Sequence, residues 1–223
     1  MKSLNTYINE WRANSNTVQD IEKSDIQYFT YRTKINDKIK IFNKDWPQFK
    51  EYKNKVYIND EIVELYDSGY AGFTRKHYEP GIYKIKIKDI NDVTDCRYMF
   101  YGCKQLISVP LFDTSKVEDM IQMFYNCEQL ISVPLFNTTN VKVMHTMFAF
   151  CTNIKEVPLF NTKNVENMNN MFINCYNIED VPLFDTNKVK NMSNMFYKCH
   201  KLSERTKQEW SRIYDFKKQN KIK

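Results

Sequence analysis

The sequence predicts an α+β protein, a right-handed repeat solenoid in which each copy supplies one short parallel strand and one short helix, with a small β-rich N-terminal module. The first observation is a 24-residue unit with ten identical positions in its four full copies, which are residues 99–122, 123–146, 147–170 and 171–194. The second is that apolar spacing changes within each unit, and the third is that residues 1–80 lack the unit. Periods of 20 to 50 residues are typical of stacked repeats that bury their apolar faces against their neighbours.

Composition narrows the class of protein. The 223 residues are 42% hydrophobic and 15% aromatic, which is enough to form cores. The net charge of +6 comes from 33 basic and 27 acidic residues, so the composition does not indicate a strongly basic surface that would bind nucleic acid or a membrane. We find no apolar run long enough for a signal peptide or a membrane span, and therefore expect a protein that is cytoplasmic as synthesised.

The N-terminal module is predicted from residues 1–80. Apolar residues at helical spacing predict a first helix, and they are Leu4, Tyr7, Ile8 and Trp11. The runs IQYFTYR, KIKIF and KVYIND/EIVELYD follow as predicted strands, with Asn59 and Asp60 as the turn of a hairpin. This segment is expected to cap the repeats or to fold as a separate docking unit.

Within each copy, the spacing predicts a strand followed by a helix. In the second copy, Leu130, Val133 and Leu135 match the L-x-x-L-x-L strand of leucine-rich repeats. The helix of two to three turns is predicted by Val141, Met144, Phe148 and Cys151. The invariant Thr between the two suits a turn, where its hydroxyl can accept from the first helix amides.

A proline and an apolar pair complicate the predicted strand. Proline removes a ladder donor, so the strands are expected to be short, with the ring facing away from the core. Leu111 and Phe112 are adjacent and cannot both point inward from a regular strand. The four Phe residues are therefore either core, if the chain bends, or an exposed aromatic stripe: Phe112, Phe136, Phe160 and Phe184.

Incomplete copies are predicted at both ends of the repeats. Residues 81–98 read as a degenerate first copy and 195–202 as a half copy, so the predicted solenoid spans 81–202. Residues 203–223 are predicted to form a capping helix and a basic tail. The helical spacing there is carried by Thr206, Trp210, Ile213 and Tyr214.

The repeat resembles a known family. The segments M-F-x-x-C-x-x-L and D-T-S-x-V-x-x-M, over roughly residues 82–202, resemble the BspA-like leucine-rich-repeat family. That resemblance implies a non-enzymatic binding protein, since members are found in surface lipoproteins and small proteins of gut and parasitic microbes and are often adhesins. Here the strand-to-turn segment is compressed to V-P-L-F-D/N-T, and we expect no lipoprotein signal. The opening MKSLNTYINEWRAN is similar to short repeat proteins of gut Bacteroides and their phages.

Cysteine and methionine columns offer alternatives. The cysteines that recur every 24 residues are Cys103, Cys127, Cys151, Cys175 and Cys199. They are expected as reduced, buried thiols, with disulfides or a metal as alternatives, although no C-x-x-C exists. Nine of the ten methionines lie between Met99 and Met195, where a core role competes with an adaptable exposed groove.

No catalytic constellation emerges from the repeats. Ser108 and Ser132 have no partner histidine in an equivalent repeat column, and no glycine-rich phosphate loop is present among four glycines, so we expect no enzyme, cofactor or metal. The predicted partner-binding residues are instead those that vary between copies on the strand side. They are Ile107, Ser108, Ile131, Ser132, Lys155, Glu156, Glu179 and Asp180.

Two functions follow from this reading. The first is a non-catalytic module that binds a protein or glycan through the variable face, and that is virion-associated if a phage encodes it. The alternative is a nucleic-acid-binding accessory protein that uses basic residues near the C-terminus. Those residues are Lys188, Lys190, Lys198, Lys201, Lys217, Lys218, Lys221 and Lys223.

Overall fold

The computed structural model describes residues 28–33, 39–58, 61–63, 65 and 81–220 of the chain. Its strands are Tyr28–Thr33 (β1), Val56–Ile58 (β2), Glu61–Val63 (β3), Gly81–Ile87 (β4) and Leu106–Ser108 (β5). Its helices are Phe49–Tyr52 (α1), Glu204–Asn220 (α2) and the 3-10 turn Ile90–Asp92. Among these described helices, none combines the length and the apolar character that crossing a membrane requires.

The five strands form one antiparallel sheet in the order β3-β2-β4-β1-β5. Alternate residues of β1, including Phe29 and Tyr31, are buried, as expected of a strand with one face on a core. The predicted strand in IQYFTYR is confirmed by β1. The predicted hairpin is confirmed by the antiparallel pairing of β2 with β3, in which Ile58 lies opposite Glu61.

The predicted fold class is wrong. The sheet is open and antiparallel, and the copies of the repeat contain turns instead of a strand and a helix, apart from β5 in the first copy, so the chain is not a right-handed leucine-rich-repeat-like solenoid. Parallel pairing in the described repeats is limited to isolated bridges such as Val143 with Asn167. Each proline lacks the amide that a continuous ladder needs, which is one physical reason for this outcome.

The predicted helix within each copy is absent because two of its residues adopt positive φ. In the helix predicted from Val141 to Cys151, these are Thr146 and Phe150, with φ of 52° and 63°. A left-handed residue ends an α-helix, so the chain forms successive tight turns. The left-handed positions recur at 98, 122, 146, 170 and 194, and at 102, 126, 150, 174 and 198.

Backbone amides in these turns alternate between two kinds of partner. The amides of Tyr101 and Cys103 donate to the carbonyls three residues earlier in the chain, those of Tyr98 and Phe100. The amides of Phe100 and Gly102 donate instead to the carbonyls of Met123 and Tyr125 in the next copy. The same alternation recurs in the later copies, which satisfies the turn amides without regular secondary structure.

Two methionine columns and two phenylalanine columns fill the core between copies. All nine methionines from Met99 to Met195 are buried, which confirms the core alternative for them. One phenylalanine column forms a parallel stack with centroids 5.4, 5.5, 5.6 and 5.8 Å apart, from Phe100 through Phe124, Phe148 and Phe172 to Phe196. The second column, which includes Phe112 and Phe136, is also at most 3% exposed, so the core alternative is confirmed there as well.

The invariant threonines act differently from the prediction. Thr114 Oγ1 donates to the Asn137 carbonyl of the next copy at 2.9 Å, and Thr138 and Thr162 make the equivalent bond. The turn amide is bonded by the preceding residue instead, because Asp113 Oδ1 accepts from the Ser115 amide at 2.8 Å. This is an Asx-turn, and the predicted Thr cap is therefore wrong.

Residues 39–46 take the place of a copy before the first one. The Asn43 amide donates to the Met99 carbonyl, as Phe100 does to Met123, and the Phe42 ring lies 5.7 Å from Phe100. The predicted strand KIKIF therefore contributes one bridge residue, Lys40, instead of a strand. The predicted first helix at residues 4–11 lies outside the described residues.

The two predicted incomplete copies have different surroundings. Residues 81–98 include β4, which lies between β1 and β2 in the antiparallel sheet, and the 3-10 turn. At the other end, α2 confirms the predicted C-terminal helix. Its Trp210 packs edge-on against Phe184 and Phe196, at 5.8 and 5.5 Å. The open end of the Phe stack is thereby covered.

Candidate protein-binding surface

A row of exposed leucines is created by the local course of each V-P-L-F segment. In the second copy, Leu130, Val133 and Phe136 are buried at intervals of three residues. This is the periodicity of a polyproline-type helix, which needs no ladder hydrogen bonds and so tolerates the proline. The Phe136 amide donates to the Pro134 carbonyl at 3.0 Å, a γ-turn around Leu135 that directs Phe inward and Leu outward.

We define the leucine row as the four residues at this position of the four copies. Their exposed fractions are 57%, 59%, 61% and 46% for Leu111, Leu135, Leu159 and Leu183. They make up half of the large apolar side chains that are exposed in the described residues. Singly exposed leucines are common, whereas contiguous exposed apolar patches are the kind of surface that proteins use for interaction.

Polar and acidic residues border the leucine row. The position three residues before each leucine holds Ser, Ser, Glu and Asp in successive copies, and the position two residues after holds Asp, Asn, Asn and Asp. The pKa of Asp113 is lowered, and the main cause is the hydrogen bond that its carboxylate accepts from the Ser115 backbone amide. Both borders therefore carry negative charge or neutral acceptors and no basic residue.

The predicted partner-binding residues occupy several environments. Ile107 and Ser108 belong to β5, which pairs with β1, and Ile107 is only 9% exposed. Ile131 and Ser132 are half-buried, whereas the four charged members, Lys155, Glu156, Glu179 and Asp180, are exposed. The backbone joins this set across copies, since the Ile131 amide donates to the Ile107 carbonyl and the Lys155 amide to the Ile131 carbonyl.

Asp180 has a structural partner at the C-terminal end. Its carboxylate accepts hydrogen bonds from the hydroxyls of Thr206 and Ser203, which lie at the start of α2. Both bonds lower the pKa of Asp180, and the bond from Thr206 has the larger effect. The structure thus joins this predicted site residue to the capping helix.

The cysteine column is structural. All six cysteines are free and buried, which confirms the reduced alternative. The Cys151 thiol donates to the Phe124 carbonyl at 3.0 Å, and Cys127, Cys175 and Cys199 make the equivalent bond. Burial raises the pKa of Cys103 and Cys199 to about 12. A neutral, buried thiol is a poor nucleophile and a poor metal ligand.

No cluster of three or more metal-ligating side chains occurs in the part of the chain that the structure describes.

Some of the basic residues predicted to bind nucleic acid make contacts within the chain. Lys190 pairs with Glu166 at 2.6 Å, and Lys198 lies over the Tyr197 ring at 5.5 Å. The side chains of Lys217 and Lys218, together with residues 221–223, fall outside the described part.

Sequence reasoning missed the leucine row, although a signal for it was present. The match of Leu135 to the last position of L-x-x-L-x-L favours the alternative in which the leucine points inward and the phenylalanine outward. The intervals of three from Leu106 to Val109 to Phe112 predict the opposite assignment, with Phe inward. Proline before the leucine supports that reading, because it favours extended backbone without a ladder.

Comparisons with known proteins identify one family. No curated protein and no solved structure matches the chain. A family model described as "Mycoplasma protein of unknown function, DUF285" matches residues 94–210, more than half of the sequence, including the four full copies and the start of α2. The chain therefore belongs to the DUF285 family of Mycoplasma proteins of unknown function.

Proposed function

We propose that this protein is a non-catalytic interaction protein that binds another protein through the leucine row. The observation that carries this proposal is the alignment of Leu111, Leu135, Leu159 and Leu183 on one surface, each about half exposed. An aliphatic row suits a protein partner better than a glycan, because it offers no donor or acceptor for sugar hydroxyls. Burial of such a row on binding is favourable in proportion to its apolar area.

The scaffold supports this proposal. Each leucine follows a proline and precedes a buried phenylalanine, so its backbone is fixed by core packing on one side. A rigid row loses little conformational freedom on binding, which favours affinity. The resemblance to BspA-like repeats, whose members are non-enzymatic binding proteins, supports the same class of function.

Origin and location extend the proposal. A Bacteroides or phage source, cytoplasmic synthesis and association with a virion stay predictions from the sequence. The alternative nucleic-acid function also stays a prediction, and the pairing of Lys190 with Glu166 reduces the positive charge on which it depends.

The test compares two surface variants. In the first, Leu135→Gln and Leu159→Gln make the centre of the leucine row polar. In the matched control, Lys155→Ser and Glu179→Ser alter the sequence-predicted face with the same number of exposed substitutions. A photo-reactive amino acid at position 159 would trap the partner in cells of the source organism, and the purified partner would then be titrated against each folded variant.

We expect affinity to fall at least tenfold for the leucine variant and less than twofold for the control. The reverse pattern would move the binding site to the predicted face. Equal affinity for both folded variants and the unchanged protein would refute the leucine row as the binding surface.

A further inference from the structure

The spacing of the leucine row distinguishes between the shapes that a bound segment can have. The core ring that accompanies each copy lies 5.4 to 5.8 Å from the next, which gives the spacing of successive copies. An α-helix advances about 5.4 Å per turn, so one side chain per turn stays in step with the row. A strand places same-face side chains about 6.7 Å apart and falls about 3 Å out of step over three intervals.

The area of the row indicates the size of the partner surface. Four leucines that are 46% to 61% exposed offer on the order of 400 Å², which is typical of a functional patch on a monomer. A stable interface between two copies usually needs about 800 Å² from each. The row is therefore too small for a dimer by itself, and its length corresponds to about four turns of one helix.

The borders of the row indicate the charge of the partner. Four of the eight border residues are acidic and none is basic, and the acidic ones are Asp113, Glu156, Asp180 and Asp185. They lie on both sides of the leucines along the chain. Opposite charges across an interface favour association and select the partner, so basic side chains are expected on both sides of the apolar stripe.

We infer that the leucine row binds one amphipathic α-helix of a partner protein, with an apolar stripe about four turns long flanked by Lys and Arg. This inference rests on the proposed function and specifies its partner. The helix lies along the direction in which the copies repeat, with one apolar side chain per turn on the row. This is the helix-on-surface mode of recognition, read as apolar anchors at i, i+4, i+7 and i+11.

The test uses two displayed peptide libraries and the full chain. One library carries 18-residue sequences with apolar residues at helical spacing and variable flanks, and the other carries alternating apolar residues that favour strands. Clones are selected on the unchanged protein and counter-selected on the Leu135→Gln, Leu159→Gln variant, whose folding is checked by circular dichroism. Lys142→Gln with Lys190→Gln is the matched surface control.

We expect clones that depend on the row to come from the helical library and to be enriched in Lys and Arg at the flanks. Their affinity should fall at least tenfold on the row variant, less than twofold on the control, and several-fold between 50 and 300 mM salt. Row-dependent clones from the strand library alone would overturn the helical partner and leave the proposed function intact. Enrichment of acidic flanks would overturn the charge assignment.

Two further outcomes count against the inference. A dimer in solution that the row variant converts to a monomer, with no clones from either library, would identify a second copy as the occupant. A monomer that yields no row-dependent clone from either library would overturn both the helical partner and the leucine row as a binding surface.

Discussion

The antiparallel sheet and the repeat region bury similar apolar side chains, but they pair their backbones over different sequence separations. In the sheet, Tyr28 lies opposite Lys86 and Thr33 opposite Gly81, so the separation changes with every pair. In the repeats, Phe100, Phe124 and Phe148 each donate to a residue 23 positions later. A substitution in the sheet therefore affects one pair of residues. A property that every copy shares affects the free energy of unfolding once per copy, and these contributions add up along the chain.

The largest expected effect is alkaline unfolding of the repeat region, because all six cysteines lie between residues 96 and 199. Burial raises the pKa of Cys103 and Cys199 to about 12, so these thiols stay protonated in the folded chain. In the unfolded chain they ionise above about pH 8.5. The contribution of these thiols to the free energy of unfolding is thus fully present below about pH 8.5, and it is lost as the pH rises toward 12.

The size of this loss follows from the unfolded-state ionisation. At pH 9.5 each buried thiol is expected to lower the free energy of unfolding by about 1.4 kcal/mol, or about 7 kcal/mol for the five that recur. Urea titrations in reductant at pH 7.5 and 9.5 measure the difference. A variant with Cys151→Ala and Cys175→Ala should lose about 3 kcal/mol less between the two pH values. An identical loss in that variant would contradict a repeat-specific effect.

The second prediction compares a buried and an exposed apolar residue of the same copy, Phe148 and Leu159. Phe148 stacks between Phe124 and Phe172 at 5.5 and 5.6 Å, so Phe148→Ala should lower the free energy of unfolding by about 3–5 kcal/mol. Leu159→Ala should change it by less than about 0.5 kcal/mol, because Leu159 is 61% exposed. Urea unfolding at pH 7 measures both. Similar costs for the two variants would mean that the leucine row is packed.

The repeat length and the buried columns could be predicted from the sequence, because identical residues at a fixed period pack against equivalent residues in the neighbouring copies. The elements β1, the hairpin and α2 could be predicted because local apolar spacing specifies them. The turns were missed for a physical reason. Asn126 and Asn174 tolerate positive φ, but Gln122 and Thr146 have no such preference. Their conformation is set by bonds to the next copy, and the Val, Met and Phe spacing fits either turns or a helix.

The candidate surface was missed for a related reason. Leu135 and Phe136 are both apolar, and composition alone does not say which is inward. The decision depends on the γ-turn around Leu135, a backbone feature that no single residue type requires. The segment 39–46 was equally hidden, because it replaces a copy through backbone bonds and the Phe42 ring without sharing the repeated sequence.

The third prediction tests whether equivalent positions contribute equally. Thr138 Oγ1 is buried and donates to the Asn161 carbonyl at 2.9 Å, so Thr138→Val should lower the free energy of unfolding by about 1–2 kcal/mol. The same change at Thr114 and Thr162 should agree within about 0.5 kcal/mol, because the bond recurs at 2.9 and 2.8 Å. Thermal and urea unfolding measure all three. Unequal costs would show that the copies near the sheet or α2 differ in local stability.

The smallest expected effect concerns charges that alternate along one exposed position of the repeat. Lys142 pairs with Glu118 at 2.7 Å, and both side chains are more than half exposed. Solvent screens such a pair, so a double-mutant cycle with Lys142→Gln and Glu118→Gln should give a coupling below about 0.5 kcal/mol. Urea unfolding at low and high salt measures this coupling and its screening. A coupling above 1 kcal/mol that disappears in high salt would mean that alternating charge stabilises the stack of copies as a network, in addition to its buried Phe, Cys and Thr columns.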